Sequence, residues 1–133
     1  MPNPDLVEQA IHLLRRAQRP VVVAGGPAAY APGTGLQEFI ETLHIPLFTE
    51  DMARGLVPDA HPYCFGFFER GLNRAARLIS DADVILLLGR KQDYTIRFAR
   101  PPVVASSAHI IQIDPDPEQI ARNRAVSVAM TCD

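Results

Sequence analysis

The chain holds no tryptophan in its 133 residues, and only two cysteines, four histidines and one lysine. Cys64 and Cys132 lie far apart, with no metal or redox spacing, so a disulfide scaffold is excluded and a reduced, cytoplasmic setting is the default. The histidines (His12, His44, His61, His109) are scattered, with no pair at zinc-ligand spacing, so no metal site is expected. No apolar run approaches the ~20 residues that span a bilayer. The opening "MPNPDLVEQ" is acidic and proline-broken, unlike a signal peptide. A net charge of −2 offers no field for nucleic acid or anionic lipid, so neither is expected as a partner. Lys91 is the single lysine among thirteen basic residues; arginine suits phosphate forks, but genomic codon bias gives the same skew and is the simpler cause. There is no low-complexity segment and no internal repeat.

What is there reads as one globular domain over residues 1–133. Apolar residues make up 47% and charged residues 21%, and a chain of this length buries roughly two-thirds of its unfolded surface. Asn3 and Pro4 read as the cap and first residue of a helix over 4–18, with Leu6, Val7, Ala10, Ile11, Leu14 and Ala17 on one face. Residues 21–24 (Val-Val-Val-Ala) are apolar on both faces, as a strand covered on both sides must be. Thr34-Gly35-Leu36-Gln37 fits a capping box before a second helix. Pro46 to Thr49 reads as a short strand, and 50–70 as a long loop with room for one more short strand or helical turn. Leu72, Ala75, Ala76 and Ile79 predict a helix that "SDAD" breaks. Further strands are expected at 84–88, 109–113 and 126–130, with a cap for a short helix at Asp116 to Gln119. Helices alternating with buried strands predict an α/β fold, a parallel sheet with helices on both faces.

Ligands of such a sheet bind beyond the carboxyl ends of its strands. That puts Gly25-Gly26, Thr49 to Met52, Gly89-Arg90 and Asp114 on the floor of any site. Gly25 and Gly26 allow close backbone approach, and a following helix N-terminus favours phosphate. Their spacing fails the G-x-G-x-x-G dinucleotide fingerprint, however, and the run to Thr34 is long for a phosphate turn. Asp114 is placed to accept from ribose hydroxyls, although Asp before Pro115 is equally ordinary turn chemistry. Arg90 is either a phosphate partner or, more commonly, an exposed loop arginine. No catalytic residue is assigned. Glu50 and Asp51 are adjacent and diverge if extended, Asp81 and Asp83 read as solvated, and His61-Pro62 reads as a turn.

"AQRPVVVAGGPAAYA", "IPLFTEDMARGLVPDAHPYCFG", "SDADVILLLGR" and "IIQIDPDPEQIARNRAVSVAMTCD" resemble, in order and spacing, the central domain of thiamine-diphosphate-dependent enzymes. The resemblance takes in acetolactate synthase-like, benzaldehyde lyase-like and oxalyl-CoA decarboxylase-like members. It runs from about Leu6 to Asp133 and rests on the ordered set, not on one motif. It implies a three-layer, doubly wound, mainly parallel sheet of about six strands, Rossmann-like (DHS-like). It also implies a parent enzyme, a 2-keto acid decarboxylase or carboligase, whose other two domains bind thiamine diphosphate and magnesium. The chain is then an excised central domain, not catalytic by itself. Its partners are those thiamine-binding domains, in a homo-oligomeric parent, dimer or tetramer. The end at Cys132-Asp133 matches the family's hand-over to the next linker.

The family's middle domain holds FAD, an ADP-type nucleotide, or nothing. On the residues matched, the candidate cofactor contacts are Gly25, Gly26, Gly66, Gly89, Arg90, Lys91, Asp114 and Asp116. Gly66 to Gly71 stands for the stretch that packs on flavin, but Glu69 replaces a glycine and Arg70 a histidine, which is unfavourable for FAD. The Gly-Ala-Arg-Phe-Asp segment reads Gly89-Arg90-Lys91-Gln92-Asp93. Asp114 and Asp116-Pro117-Glu118 keep the nucleotide end, for an ADP-like nucleotide or a CoA portion. Two alternatives stay open: a free-standing, regulatory nucleotide-binding module, and an NAD-using enzyme of the deoxyhypusine synthase or sirtuin type. The latter needs a His or Lys in the cleft, where only Lys91 is available as lysine.

Overall fold

The computed structural model describes residues 1–31 and 33–132, with the backbone alone described at Asp51. Asp133, where the resemblance places the hand-over to a linker, lies outside them. Helix α1 spans Pro4–Arg16; Asn3 Oδ1 accepts from the Asp5 N–H at 2.9 Å, the expected cap. Strand β1 is Pro20–Ala24, helix α2 Gly35–Leu43 and strand β2 Leu47–Thr49. Strand β3 is Cys64–Phe67, β4 is Val84–Leu88, β5 is His109–Asp114 and β6 is Val128–Thr131.

The six strands form one sheet in the order β3-β2-β1-β4-β5-β6, and every neighbouring pair is parallel. The chain winds outward one way from β1 to β3, then returns to the other side of β1 with β4. The β1–β4 boundary is therefore the topological switch point. Residues alternate between the two faces. Val22, Ala24, Leu47, Leu86 and Ile111 pack with Leu14 and Ile40 of α1 and α2. Val21, Val23, Ile85, Leu87 and Ile110 pack on the other side with Ala76, Ile79 and Ile96. Full burial of each large aliphatic side chain is worth roughly 1.5–3 kcal/mol. Phe48 meets Phe65 and Phe68 edge-on, at 5.9 and 6.1 Å between ring centres, which ties β2 to the edge strand.

Four expectations need correction. The capping box is absent: the Thr34 hydroxyl donates to Glu38 Oε1 at 2.7 Å and accepts from no backbone N–H, and Thr34 sits in the bridge region (φ −94°, ψ 9°) instead of the extended conformation usual for a cap. The predicted helix from Leu72 is a 3₁₀ segment, Arg74–Asp81, capped by Asn73; Leu72 lies outside it and is 82% exposed. Strand β6 begins two residues later than expected, at Val128. Asp83 is half-buried instead of solvated. Its carboxylate accepts from the Gln18 and Arg19 N–H groups at 2.7 and 2.9 Å, which fastens the turn before β1 to the turn before β4. Burial alone would raise the Asp83 carboxyl, but those backbone bonds outweigh it and hold it below the ordinary range.

Candidate functional site at the carboxyl edge of the sheet

Gly25 and Gly89 follow β1 and β4 and sit on either side of the switch point. The Gly25 N–H donates to Leu88 O at 2.8 Å, and the Gly89 N–H to Ile113 O at 2.7 Å. A Cβ at Gly25 would lie 2.2 Å from Gly89 O. One at Gly89, where φ is +57°, would lie 2.8 Å from Ala28 N. The two turns thus close against each other, and their glycines permit that contact. Gly26 has nothing within 4 Å of a built Cβ and faces open space. After it comes a five-residue 3₁₀ segment, Gly26–Tyr30, so no α-helix N-terminus stands at this turn; α2 begins only at Gly35.

Arg90 is not an exposed loop arginine. It is 3% exposed. Its Nε lies 2.5 Å from Glu50 Oε2 in an ion pair that lacks hydrogen-bond alignment. Its Nη1 donates to Lys91 O at 2.5 Å and its Nη2 to Asp93 Oδ1 at 3.1 Å, with the Thr95 hydroxyl in contact as well. Burial works against the Asp93 charge, but Arg90 and Thr95 hold that carboxyl below its usual range. Glu50 follows β2, and its N–H donates to Ala24 O at 2.9 Å. The Glu50–Arg90 pair therefore passes over the end of β1 and joins the turns after β2 and β4.

Behind Arg90 lies a buried pair of glutamines, 92 and 112. Gln112 Nε2 donates to Arg90 O (3.1 Å) and Gln119 O (3.0 Å), and its Oε1 accepts from the Ala121 N–H (2.9 Å). Gln92 Oε1 accepts from the N–H groups of Asn123 (3.2 Å) and Arg124 (2.7 Å). Gln92 serves as an internal clamp. Together the two amides fix the loops after β4 and β5.

Asp114 ends β5 and is 1% exposed. Its Oδ1 accepts from the Asp116 N–H at 2.9 Å, and its Oδ2 is buried without a hydrogen-bond partner. Burial pushes its carboxyl up from the ordinary value, and the Asp116 charge adds to that. Asp116 caps the 3₁₀ turn Pro117–Gln119; bonds from the Gln119 side chain and the Glu118 N–H lower its carboxyl. Lys91 is exposed and close enough to act on both acids, and Arg122 acts on Asp116. Lys91, Arg122, Asn123 and the 72%-exposed Tyr94 line a cleft of about 320 Å³. Two cations beside a free aromatic face suit a phosphorylated, planar ligand. Asp114 does not line this cleft, but its buried, unpartnered Oδ2 is an acceptor that a hydroxyl donor would satisfy, and Lys91 is close enough to act on it. The residues present fit an adenine nucleotide on these grounds.

Gly66 is not brought to this cleft. Its φ is +89°, at a bulge where β3 slips one residue against β2, and Asn73 Nδ2 spans the bulge by donating to Phe65 O (2.7 Å) and Phe67 O (3.0 Å). It lies four strand spacings from β5, roughly 19 Å. Glu69 accepts from the Gly71 N–H at 2.9 Å, and Arg70 donates to Ser80 Oγ at 3.2 Å. His61 sits at the opposite end of the sheet, before β3, where its Nε2 is 2.8 Å from Glu41 Oε1. A second cavity of about 410 Å³ lies between α1, α2 and the sheet; apart from the Cys132 thiol its side chains are apolar, with no donor for a phosphate. Among the described residues no three His, Cys, Asp or Glu converge as metal ligands. No helix among them is long and apolar enough to cross a membrane.

Residues 7–133 match the family described as "Thiamine pyrophosphate enzyme, central domain". The chain is 33% identical over 136 residues to oxalyl-CoA decarboxylase of Escherichia coli (strain K12), covering 100% of this chain and 22% of that protein. It is 30% identical over 131 residues to 2-hydroxyacyl-CoA lyase 1 of Homo sapiens, covering 98% and 22%. It is 31% identical over 133 residues to "Probable acetolactate synthase large subunit" of Methanococcus aeolicus, again 98% and 22%. The chain thus spans about a fifth of the length of these curated relatives. The sirtuin-like and free-standing regulatory readings gain no support from them.

Proposed function

The chain belongs to the thiamine pyrophosphate enzymes as a central domain, and from that premise we propose that it is the non-catalytic scaffold of a longer polypeptide. In this reading the flanking domains hold thiamine diphosphate and magnesium, within a homo-oligomer. The central domain fixes their spacing and carries an adenine-nucleotide site at the β4–β5 edge. The parent enzyme cleaves or forms a carbon–carbon bond next to an acyl-CoA carbonyl, the chemistry named in two of the relatives above. A 2-keto acid is the corresponding substrate on the acetolactate synthase side.

The observation that carries the nucleotide site is the orphaned Oδ2 of Asp114 at the end of β5, within electrostatic reach of Lys91, which lines a cleft with Arg122 and Tyr94. Asp114 would accept from a ribose hydroxyl, Lys91 and Arg122 would face phosphates, and Tyr94 would stack on the base. ADP, CoA and FAD share an adenosine diphosphate moiety. FAD is the weakest of the three, because its flavin half would have to run past the closed Glu50–Arg90 pair toward Glu69.

Calorimetric titration of the chain with ADP, CoA and FAD tests this. ADP or CoA should bind, and Asp114→Ala should weaken that binding about tenfold, or about 1.4 kcal/mol. No heat and no melting shift with any of them at millimolar concentration would leave an empty scaffold. Turnover of a 2-oxo acid by the chain with thiamine diphosphate would overturn the non-catalytic assignment.

A further inference from the structure

Arg90 is a cation placed at the switch point, where doubly wound sheets receive the phosphates of their ligands. The chain satisfies it internally. Arg90 is 3% exposed, and the Glu50 side chain paired with it is 15% exposed. Their contact is close but poorly aligned, Nε to Oε2 at 2.5 Å without hydrogen-bond geometry. The remaining guanidinium contacts go to Lys91 O, Asp93 and Thr95, all on its own loop. Among the described residues, Glu50 is the one whose side chain reaches the guanidinium from across β1.

We propose that Glu50 is a built-in carboxylate plug on a latent pyrophosphate subsite at Arg90, and that it decides how far a nucleotide held at the Asp114 end can extend along the sheet edge. With Glu50 in place the ligand stops at β4. With Glu50 removed or withdrawn, Arg90 keeps Asp93 and Lys91 O on its own loop but loses its carboxylate partner from across β1, and its buried Nε, which already lacks a hydrogen bond, is left without an acceptor. A diphosphate can then supply the paired, bidentate acceptors that one misaligned carboxylate does not. The inference rests on the adenine-nucleotide reading for the identity of the anion, but not for the plug itself.

The test uses inorganic pyrophosphate and ADP as probes on the 133-residue chain, with Glu50→Gln, Glu50→Asp and the double variant Glu50→Gln/Arg90→Met. Glu50→Gln should melt below the wild type without ligand and recover with millimolar pyrophosphate, while the wild type does not move. Its pyrophosphate affinity should rise at least about tenfold, and the double variant should lose that gain. If Glu50→Gln does not fold, Glu50→Asp, which keeps the charge and draws it back by one methylene, decides the matter with a smaller gain of the same sign. Pyrophosphate affinity equal in wild type and Glu50 variants overturns the plug, and ADP binding that still depends on Asp114 would then leave the nucleotide reading standing. A pyrophosphate gain confined to the Glu50 variants, with no ADP bound by any chain, supports the plug and overturns the nucleotide reading.

Discussion

Gly25 and Gly89 touch across the switch point, with Gly89 O where a Gly25 Cβ would stand, 2.2 Å away. Sequence reasoning places these glycines against a ligand; the fold places them against each other. Gly25→Ala should therefore cost about 3 kcal/mol, since a backbone carbonyl cannot yield as a flexible side chain does. Gly26→Ala, with open space around it, should stay within about 0.5 kcal/mol of the parent. Urea denaturation of the two variants measures the contrast, and equal losses would mean that the turns do not close as described.

Asp83 ties the start of β1 to the start of β4 through two backbone N–H groups. Asp83→Ala should cost about 1–3 kcal/mol by orphaning them. The carboxyl is lowered in the fold, so its stabilisation is full above the unfolded value of about 3.9 and is lost as pH falls through the folded value. The gap in stability between wild type and Asp83→Ala should therefore narrow below about pH 4. A gap constant from pH 7 to pH 3 would remove the charge from the account.

Asp114 runs the other way. Its carboxyl is raised by burial, so the folded chain holds its proton more tightly than the unfolded chain does. Stability from that proton is full below about pH 3.9 and is lost as pH rises through the folded value. Asp114→Asn keeps an Oδ1 acceptor for the Asp116 N–H and removes the buried charge. It should melt above the wild type at pH 7, and the difference should close toward pH 4. A lower melting point at pH 7 would show that the charge is stabilised by partners not described above.

Gln112→Leu would leave Arg90 O, Gln119 O and the Ala121 N–H without their partner at the base of the cleft. At about 1–3 kcal/mol for each orphaned group, a loss of about 3 kcal/mol or more is expected. Amide exchange should quicken over residues 119–124 before it does in β1 or β4. Uniform quickening would show that Gln112 supports the whole sheet instead of its loops.

Much of the architecture is legible before any coordinates. Val84 to Leu88 can only be a doubly covered strand, and Asn3-Pro4 can only start a helix, because the local chemistry is unambiguous. The 3₁₀ segment at Arg74 to Asp81 is not, since 3₁₀ and α-helix share short apolar spacings and differ in a bond pattern that sequence does not encode. Near the candidate site, the position of Asp114 at the end of β5 is legible from the strand pattern alone. The burial of Arg90 is not legible, because its partner Glu50 lies 40 positions away and only the sheet order brings them together. Gln112 carried a readable signal, a lone amide inside "HIIQID", where an apolar residue would otherwise be expected.

The sheet's two faces are clothed differently, one by α1 and α2, the other largely by 3₁₀ turns and the stretch from Tyr94 to Ala108. Short 3₁₀ turns carry little cooperativity of their own. The two coverings should come away at different free energies, the thin one first and piece by piece, the helical one only with the strands beneath it. A protease acting on the intact chain would then make its earliest cuts on the thin face, near Phe98, and leave α1 joined to β1.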